Sequence, residues 1–512
     1  MDMTNKCLTP GLAMVVVWIA AIKMAVHFYA GHHYGYFVDE LYYLACGRHL
    51  AWGYVDQPPL IALVAAVTRV LVGESLRAIR FLPAVAGGAT VLLTGLMARE
   101  LGGRRFAQGI AALVVLVAPG FLAIDSLFSM NAFEPLFWMG CAYIVMRIVR
   151  TGNQKLWLWF GLLAGVGLEN KHSMLIFGCG IVAGLLATSE RRQFRSRWLW
   201  IAGVLALLIL LPNLLWNVQH HFPFLEVQAN IRRAHRDVDL RPLAFIGQEI
   251  LTMLPLTLPL WVAGLWYFLF SEKGKPFRLL GWAWLVTLAV IMIMNPRVYY
   301  PWPAFPMLFA AGGVLWESWL TSPRLQWVKP AWVTLMVVAG AILAPFVVPV
   351  LPVETYIRYS QALGFQPPKL ETHKLGPLPQ IYADQFGWEE MAAAVAKVYN
   401  GLPPDVRPKT AIFGQNYGQA GAVDLFGPKY GLPKAIGGHQ TYFLWGPRDY
   451  TGESMIVMAG RQADLESKFT TVEKVAHFEH PYSMPYEHFD IFYCRGLKWP
   501  LREIWPKVKN WD

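Results

Sequence analysis

The chain has 512 residues, of which 55% are hydrophobic and 14% aromatic but only 15% charged. Soluble domains carry about 25% charged residues, so this composition excludes an ordinary soluble protein and points to a membrane one. The net charge of +11 comes with no nucleic-acid fold signature; in a membrane chain such an excess reflects basic cytoplasmic loops and lipid contacts.

Taken in order, the first residues hold one Lys before an apolar run and no small-residue cleavage pattern, which reads as an uncleaved first span near residues 10–30. That span carries Lys23 and His27 toward its outer end, where a long side chain is expected to snorkel to the interface. A long loop over 31–78 follows. It opens with the adjacent carboxylates Asp39 and Glu40, continues through an aromatic-rich stretch, and reaches Asp56-Gln57-Pro58-Pro59. An acidic pair at a membrane boundary is costly to bury and therefore worth testing for function; the plain alternative is two solvated carboxylates capping a helix. Residues 60–73 are apolar but short and contain Arg69, which predicts a helix lying in the interface.

Further spans fall near 80–99, 106–123, 133–149, 156–170, 173–189, 198–217, 247–270, 279–295, 302–320 and 330–350, about eleven in all at roughly 20 residues each. The short basic loops then share one side, which makes that side the cytoplasm. The other side is the periplasm of a bacterial inner membrane. It receives the Asp39 loop, the short loop 122–133, the turn 169–172, the loop 218–246, the turn 295–301 and the tail. From residue 354 no spanning run remains. Strand-like segments at 410–413, 454–459, 471–478 and 490–494 alternate with helix-like ones at 388–399, 418–426 and 461–469. This predicts a mostly α polytopic membrane protein over 1–350 and a periplasmic α/β domain over 351–512. The five cysteines, Cys7, Cys46, Cys141, Cys179 and Cys494, are scattered, which excludes a disulfide framework and a closely spaced zinc site.

Four outward features belong together. They are Asp39-Glu40 with Asp56; Asn131 and Glu134 at the mouth of a span; Glu169-Asn170-Lys171-His172 between two helices; and Arg297 with Tyr299 and Tyr300 at a helix end. Carboxylates and separated cations at one face suit a reaction in which a hydroxyl loses a proton while a phosphate leaves. The alternatives are a wet helix–helix turn at 169–172 and an interfacial anchor at Arg297. The His32-His33 and His220-His221 pairs are too far apart in sequence to be read as metal ligands.

DELYYLACGRHLAWGYVDQPPL, followed by a short apolar helix and RFLPAVAGGATVLLTGLMARELGG, resembles the dolichyl-phosphate-mannose-protein mannosyltransferase-like branch of GT-C glycosyltransferases. The bacterial aminoarabinose transferases belong to the same group. The resemblance covers roughly residues 10–320 and is strongest over the first 180. It implies an enzyme that moves a sugar from a polyprenyl-phosphate donor to a lipid, glycan or protein acceptor. It maps the family's first-loop acid onto Asp39, with Glu40 beside it, as base or acceptor-orienting group. Asp56, Asn131, Glu134, Lys171, His172, Arg297, Tyr299 and Tyr300 then become substrate-binding candidates. Asn131 stands where many relatives carry an aspartate, and the resemblance leaves a divalent metal open. In the long loop, Arg232 and Arg233, with Arg236 and Arg241, are expected to form a mobile basic segment that closes over a phosphate. The competing class is a transporter or flippase of a lipid-linked sugar; such proteins tend to show repeats and midplane charges, and neither is evident here.

Overall fold

The computed structural model describes residues 11–294 and 297–512. Cys7, and Asn295 and Pro296 of the expected outward turn, lie outside them. The chain divides into two compact units. The first comprises the chain up to Gly31 together with Arg80–Leu214 and Asp239–Pro352; the second comprises His32–Ile79, Leu215–Val238 and Val353–Asp512. The expected first outer loop therefore belongs to the same unit as the tail.

Helices build the first unit. Among the described residues five helices are long and apolar enough to cross a membrane: Leu76–Glu100, Met130–Thr151, Arg197–Gln219, Lys275–Met294 and Pro323–Phe346. Counting each bent helix pair as one span raises the number to eight, and Met14–Ala30 is a shorter apolar helix. Length and composition thus support five to eight spans against the eleven or so expected. The shortfall has a physical cause. Trp157–Asn170 and Phe305–Trp319 have only 14 and 15 residues, and a third expected span breaks by 63° between Val117 and Pro119. Close helix contact in this unit rests on missing side chains. A Cβ on Gly264 would stand 2.0 Å from the Leu308 carbonyl oxygen, and one on Gly312 would stand 1.9 Å from that of Leu260. Backbone approach of this kind is the usual way apolar helices gain dispersion contact without a hydrophobic driving force.

Lys23 does not snorkel. It is fully buried and paired with Asp125 at 2.7 Å. Its ammonium also donates to the Val115 and Phe121 carbonyls at 3.1 and 3.2 Å. The reason lies at the break: Pro119 has no N–H to give the Val115 oxygen four residues back, so that carbonyl needs another donor. His27, one turn on, is likewise buried, with Nδ1 at 3.3 Å from the Ser126 hydroxyl.

The second unit contains helices Val38–Arg48 and Leu60–Leu71 and a five-stranded sheet. The strands are β1 (Thr410–Gly414), β2 (Ile436–Gly437), β3 (Ser454–Met458), β4 (Phe469–Phe478) and β5 (Phe489–Leu497), in the order β2-β1-β3-β5-β4. β1 pairs parallel with β2 and β3, while β5 runs antiparallel to β3 and β4. The continuous apolar runs place β1 and β3 in the interior, buried at every position. β4 lies at the edge of the sheet and exposes Glu473, Lys474 and Val475 in succession. Phe413, Met455, Val457, Phe492 and Trp505 make the core of this layer. Four of the strands fall where the sequence pattern placed them; β2 has only two residues and leaves no pattern to find.

The basic segment differs from expectation. Helices Pro223–Arg233 and Pro242–Thr252 occupy most of residues 219–248. Each has proline in its first turn, where the absent N–H costs nothing.

Candidate functional site

The candidate residues form two clusters, one in each unit. In the first unit, the start of helix Met130–Thr151 carries Asn131 and Glu134, and the turn after Trp157–Asn170 carries Lys171. The Lys171 ammonium donates to Asn131 Oδ1 at 2.8 Å and Glu134 Oε2 at 3.0 Å. It lies over the Tyr300 and Tyr299 rings at 4.1 and 5.1 Å from their centroids. Those rings stack on one another 5.2 Å apart. Ser173 donates its hydroxyl to the other Glu134 oxygen. Arg297, in the same turn as the tyrosines, is near enough for its charge to act on Tyr300. One cation is thus held among a carboxylate, an amide and two π-faces; Glu134 and Lys171 are buried, and Asn131, Arg297, Tyr299 and Tyr300 are half-buried. His172 turns elsewhere, its Nε2 at 3.1 Å from Asn213 Oδ1. Glu169 is buried with neither carboxyl oxygen hydrogen-bonded.

In the second unit, Asp39 occupies the first turn of helix Val38–Arg48, where the helix dipole favours a negative charge. Glu40 next to it is fully buried and accepts a hydrogen bond from the Phe37 N–H at 2.8 Å, closing the helix end. Asp39 is half-buried and accepts the Tyr417 hydroxyl at 2.7 Å. Tyr417 begins helix Tyr417–Phe426, capped by Asn416, whose side chain accepts the Gln419 N–H. That helix lies tight on Val38–Arg48. A Cβ on Gly418 would come 2.5 Å from Val38 Cγ2, and one on Gly421 3.0 Å from Leu41 Cβ. Tyr417 stacks between Tyr42 at 4.7 Å and His439 at 4.8 Å. Tyr42 in turn gives its hydroxyl to Asp56 at 2.8 Å, beside Thr441 Oγ1 at 2.5 Å. Burial pushes the Asp56 carboxyl up to about 6, with the Asp39 charge adding to the shift and the Tyr42 hydrogen bond opposing it.

Tyr42, Tyr417, His439 and Thr441 were not singled out in the sequence. The only local signal was the capping Asn416 before a tyrosine and two small residues. Arg232 and Arg233 are exposed on their helix; Arg233 donates to Asn230 Oδ1 at 3.4 Å. Arg236 is instead held by Glu371 at 3.0 Å. Among the described residues no three His, Cys, Asp or Glu side chains converge as a metal ligand set.

Behind Asn416 lies Glu487, buried and accepting from Asn416 Nδ2 at 2.7 Å and Gln419 Nε2 at 2.9 Å. Burial raises its carboxyl to about 7, against those hydrogen bonds. A carboxyl whose folded value exceeds its unfolded one binds protons more tightly when folded. Its stabilising contribution is therefore complete at acid pH and is lost as pH rises from about 4 to the folded value near 7. The shift corresponds to about 3 kcal/mol. The thermal midpoint of the wild type is expected to fall between pH 5 and 8, and Glu487→Gln to flatten that fall. Parallel profiles for the two proteins would show that Glu487 is not the group concerned.

Residues 56–216 match the family model described as dolichyl-phosphate-mannose-protein mannosyltransferase. The lipid A galacturonosyltransferase RgtD of Rhizobium johnstonii is 29% identical over 188 residues, which cover 36% of this chain and 39% of that protein. The chain therefore aligns with well under half of that relative's length. The crystal structure of ArnT from Cupriavidus metallidurans bound to undecaprenyl phosphate superposes with a TM-score of 0.63 at 14% identity, over 93% of this chain and 97% of that one. The Archaeoglobus fulgidus oligosaccharyltransferase tethered with an acceptor peptide gives 0.51 at 13% identity, over 82% of this chain and 63% of its own. At these identities the structural likeness is one of fold. The family match over residues 56–216 and the fold shared with ArnT agree with the resemblance to GT-C glycosyltransferases. Within that type it resembles the bacterial branch, with the ArnT fold over nearly its whole length.

Proposed function

We propose that the protein moves a sugar from a polyprenyl-phosphate donor to an envelope acceptor (lipid, glycan or protein) at the periplasmic face of a bacterial inner membrane. The observation that carries this reading is the Lys171 cluster: Asn131, Glu134, Lys171, Tyr299 and Tyr300 come from three distant segments yet meet around one ammonium. A helical apolar unit has little reason to gather such groups unless a polar ligand is handled there. The undecaprenyl phosphate bound in ArnT supplies the ligand class. In this reading the acceptor hydroxyl gives its proton to Asp39 as its oxygen attacks the anomeric carbon. The carbon–oxygen bond to phosphate breaks and its electron pair leaves with the lipid phosphate; Lys171 and Arg297 are assigned to donor binding. The oxocarbenium-like state and single displacement invert the anomeric centre. Asp56, His172, Arg232 and Arg233 are assigned to substrate contact.

The test is transfer by the purified protein in detergent, where no second compartment exists for transport. Sugar is expected to appear on an envelope acceptor with release of polyprenyl phosphate, and Lys171→Gln to weaken use of the donor by about tenfold or more. Translocation of the lipid-linked sugar in vesicles without any transfer would establish the flippase instead.

A further inference from the structure

Away from Asp39, the second unit gathers cations at the far end of helix Val38–Arg48. Arg48 Nη1 and Lys434 Nζ donate to the same oxygen, the Asp424 carbonyl, at 2.7 and 3.0 Å. Arg448 reaches the adjoining loop, its Nε donating to the Ala435 carbonyl at 3.3 Å. Its Nη2 is buried without an acceptor. Burial and the positive charges of Arg48 and Arg448 hold the Lys434 ammonium below its usual range. Burial and Arg448 do the same to His49, whose ring lies tilted at 4.6 Å from that of Trp445. Two carboxylates answer these three cations, and both are already engaged. Glu74 pairs with Arg48 at 2.7 Å. Asp424 accepts the Ala435 N–H at 2.9 Å and the Tyr442 hydroxyl at 3.1 Å. A buried guanidinium N–H without an acceptor is costly, and like charges crowded together call for an anion.

The chain on either side of this cluster is apolar and exposed. Leu50 and Trp52, just after His49, are 58% and 64% exposed. Val70, Leu71 and Val72, just before Glu74, are 76%, 75% and 65% exposed. An apolar rim beside a cationic pocket is complementary to a molecule that is itself apolar with an anionic head.

We propose that this end of the second unit binds the phosphate headgroup of a membrane amphiphile. Arg48, Lys434 and Arg448 take the phosphate oxygens, and the Leu50–Trp52 and Val70–Val72 rim takes the hydrocarbon. Arginine suits the role because its planar fork offers phosphate two donors at once. The site stands or falls independently of the transfer reaction.

Binding is measured on the full-length protein in detergent with three probes: dioleoyl phosphatidic acid, dioleoylglycerol and inorganic phosphate. Phosphatidic acid is expected to bind at least about tenfold more tightly than dioleoylglycerol, and Arg448→Gln and Lys434→Gln each to erase most of that difference, as for one lost charge-assisted contact. Trp52→Ala should weaken phosphatidic acid and leave inorganic phosphate unaffected. Equal binding of the two lipids overturns the proposal, as does wild-type binding by both charge variants. Inorganic phosphate competing mole for mole overturns its lipid half and leaves a free-anion site. Thermal midpoints accompany each variant; should Arg448→Gln fail to fold, Lys434→Gln decides.

Discussion

Asp39→Asn is expected to lower transfer by about two to four decades while the protein still inserts and folds, the usual cost of removing a general base. The substitution keeps the size of the side chain and an oxygen able to accept the Tyr417 hydroxyl, which in the wild type lies 2.7 Å away. It removes only the negative charge and the capacity to take a proton. The Tyr417 hydrogen bond, the stacking of Tyr417 on Tyr42 and His439, and the helix end at Phe37 hold the carboxylate in one place. A fixed carboxylate loses little entropy in meeting the acceptor. Full progress curves for wild type and variant with the same donor decide the matter. Wild-type turnover by Asp39→Asn would remove Asp39 from the chemistry, and a variant that fails to reach the membrane would point to a role in folding.

The second large effect concerns stability. Asp125→Leu is expected to destabilise the first unit by about 3–5 kcal/mol, because Lys23 would be left charged, buried and unpaired. Lys23 and Asp125 are 0% and 1% exposed. The two carbonyls that Lys23 also contacts soften its burial but carry only partial charge. Replacing both partners, as Lys23→Met with Asp125→Leu, should recover most of the loss, since an apolar pair of similar volume needs no desolvation. Denaturation midpoints of the three proteins in one detergent give the coupling. Equal losses in the single and double variants would mean that the helix break itself, at Pro119, needs the ion pair.

Much of this protein was legible in its sequence because the signals are local. Apolar runs mark the membrane helices. The runs TAIF and SMIV mark two strands, which the sheet holds in its interior. The four turns that carry Asp39, Asn131, Lys171 and Tyr300 stood out because charged and hydroxyl groups interrupt apolar segments there. Span counting was less secure, since a run of suitable composition does not reveal a 63° break or a helix of 14 residues.

Which of these groups meet is another matter. Tyr417 lies 378 positions from Asp39, Thr441 lies 399 from Tyr42, and the carbonyl that Lys23 finds on Val115 lies 92 away. Nothing in the neighbourhood of Lys23 announces Asp125, so snorkelling was the natural expectation for it. Nothing around Arg236 announces Glu371, whose grip, with two proline-started helices, makes ordered structure of a segment that reads as a free basic loop. Hydrophobicity, capping and turn chemistry act over a few residues and can be read along the chain. Pairing of buried charges is decided by desolvation, which depends on what the folded chain brings within a few ångströms.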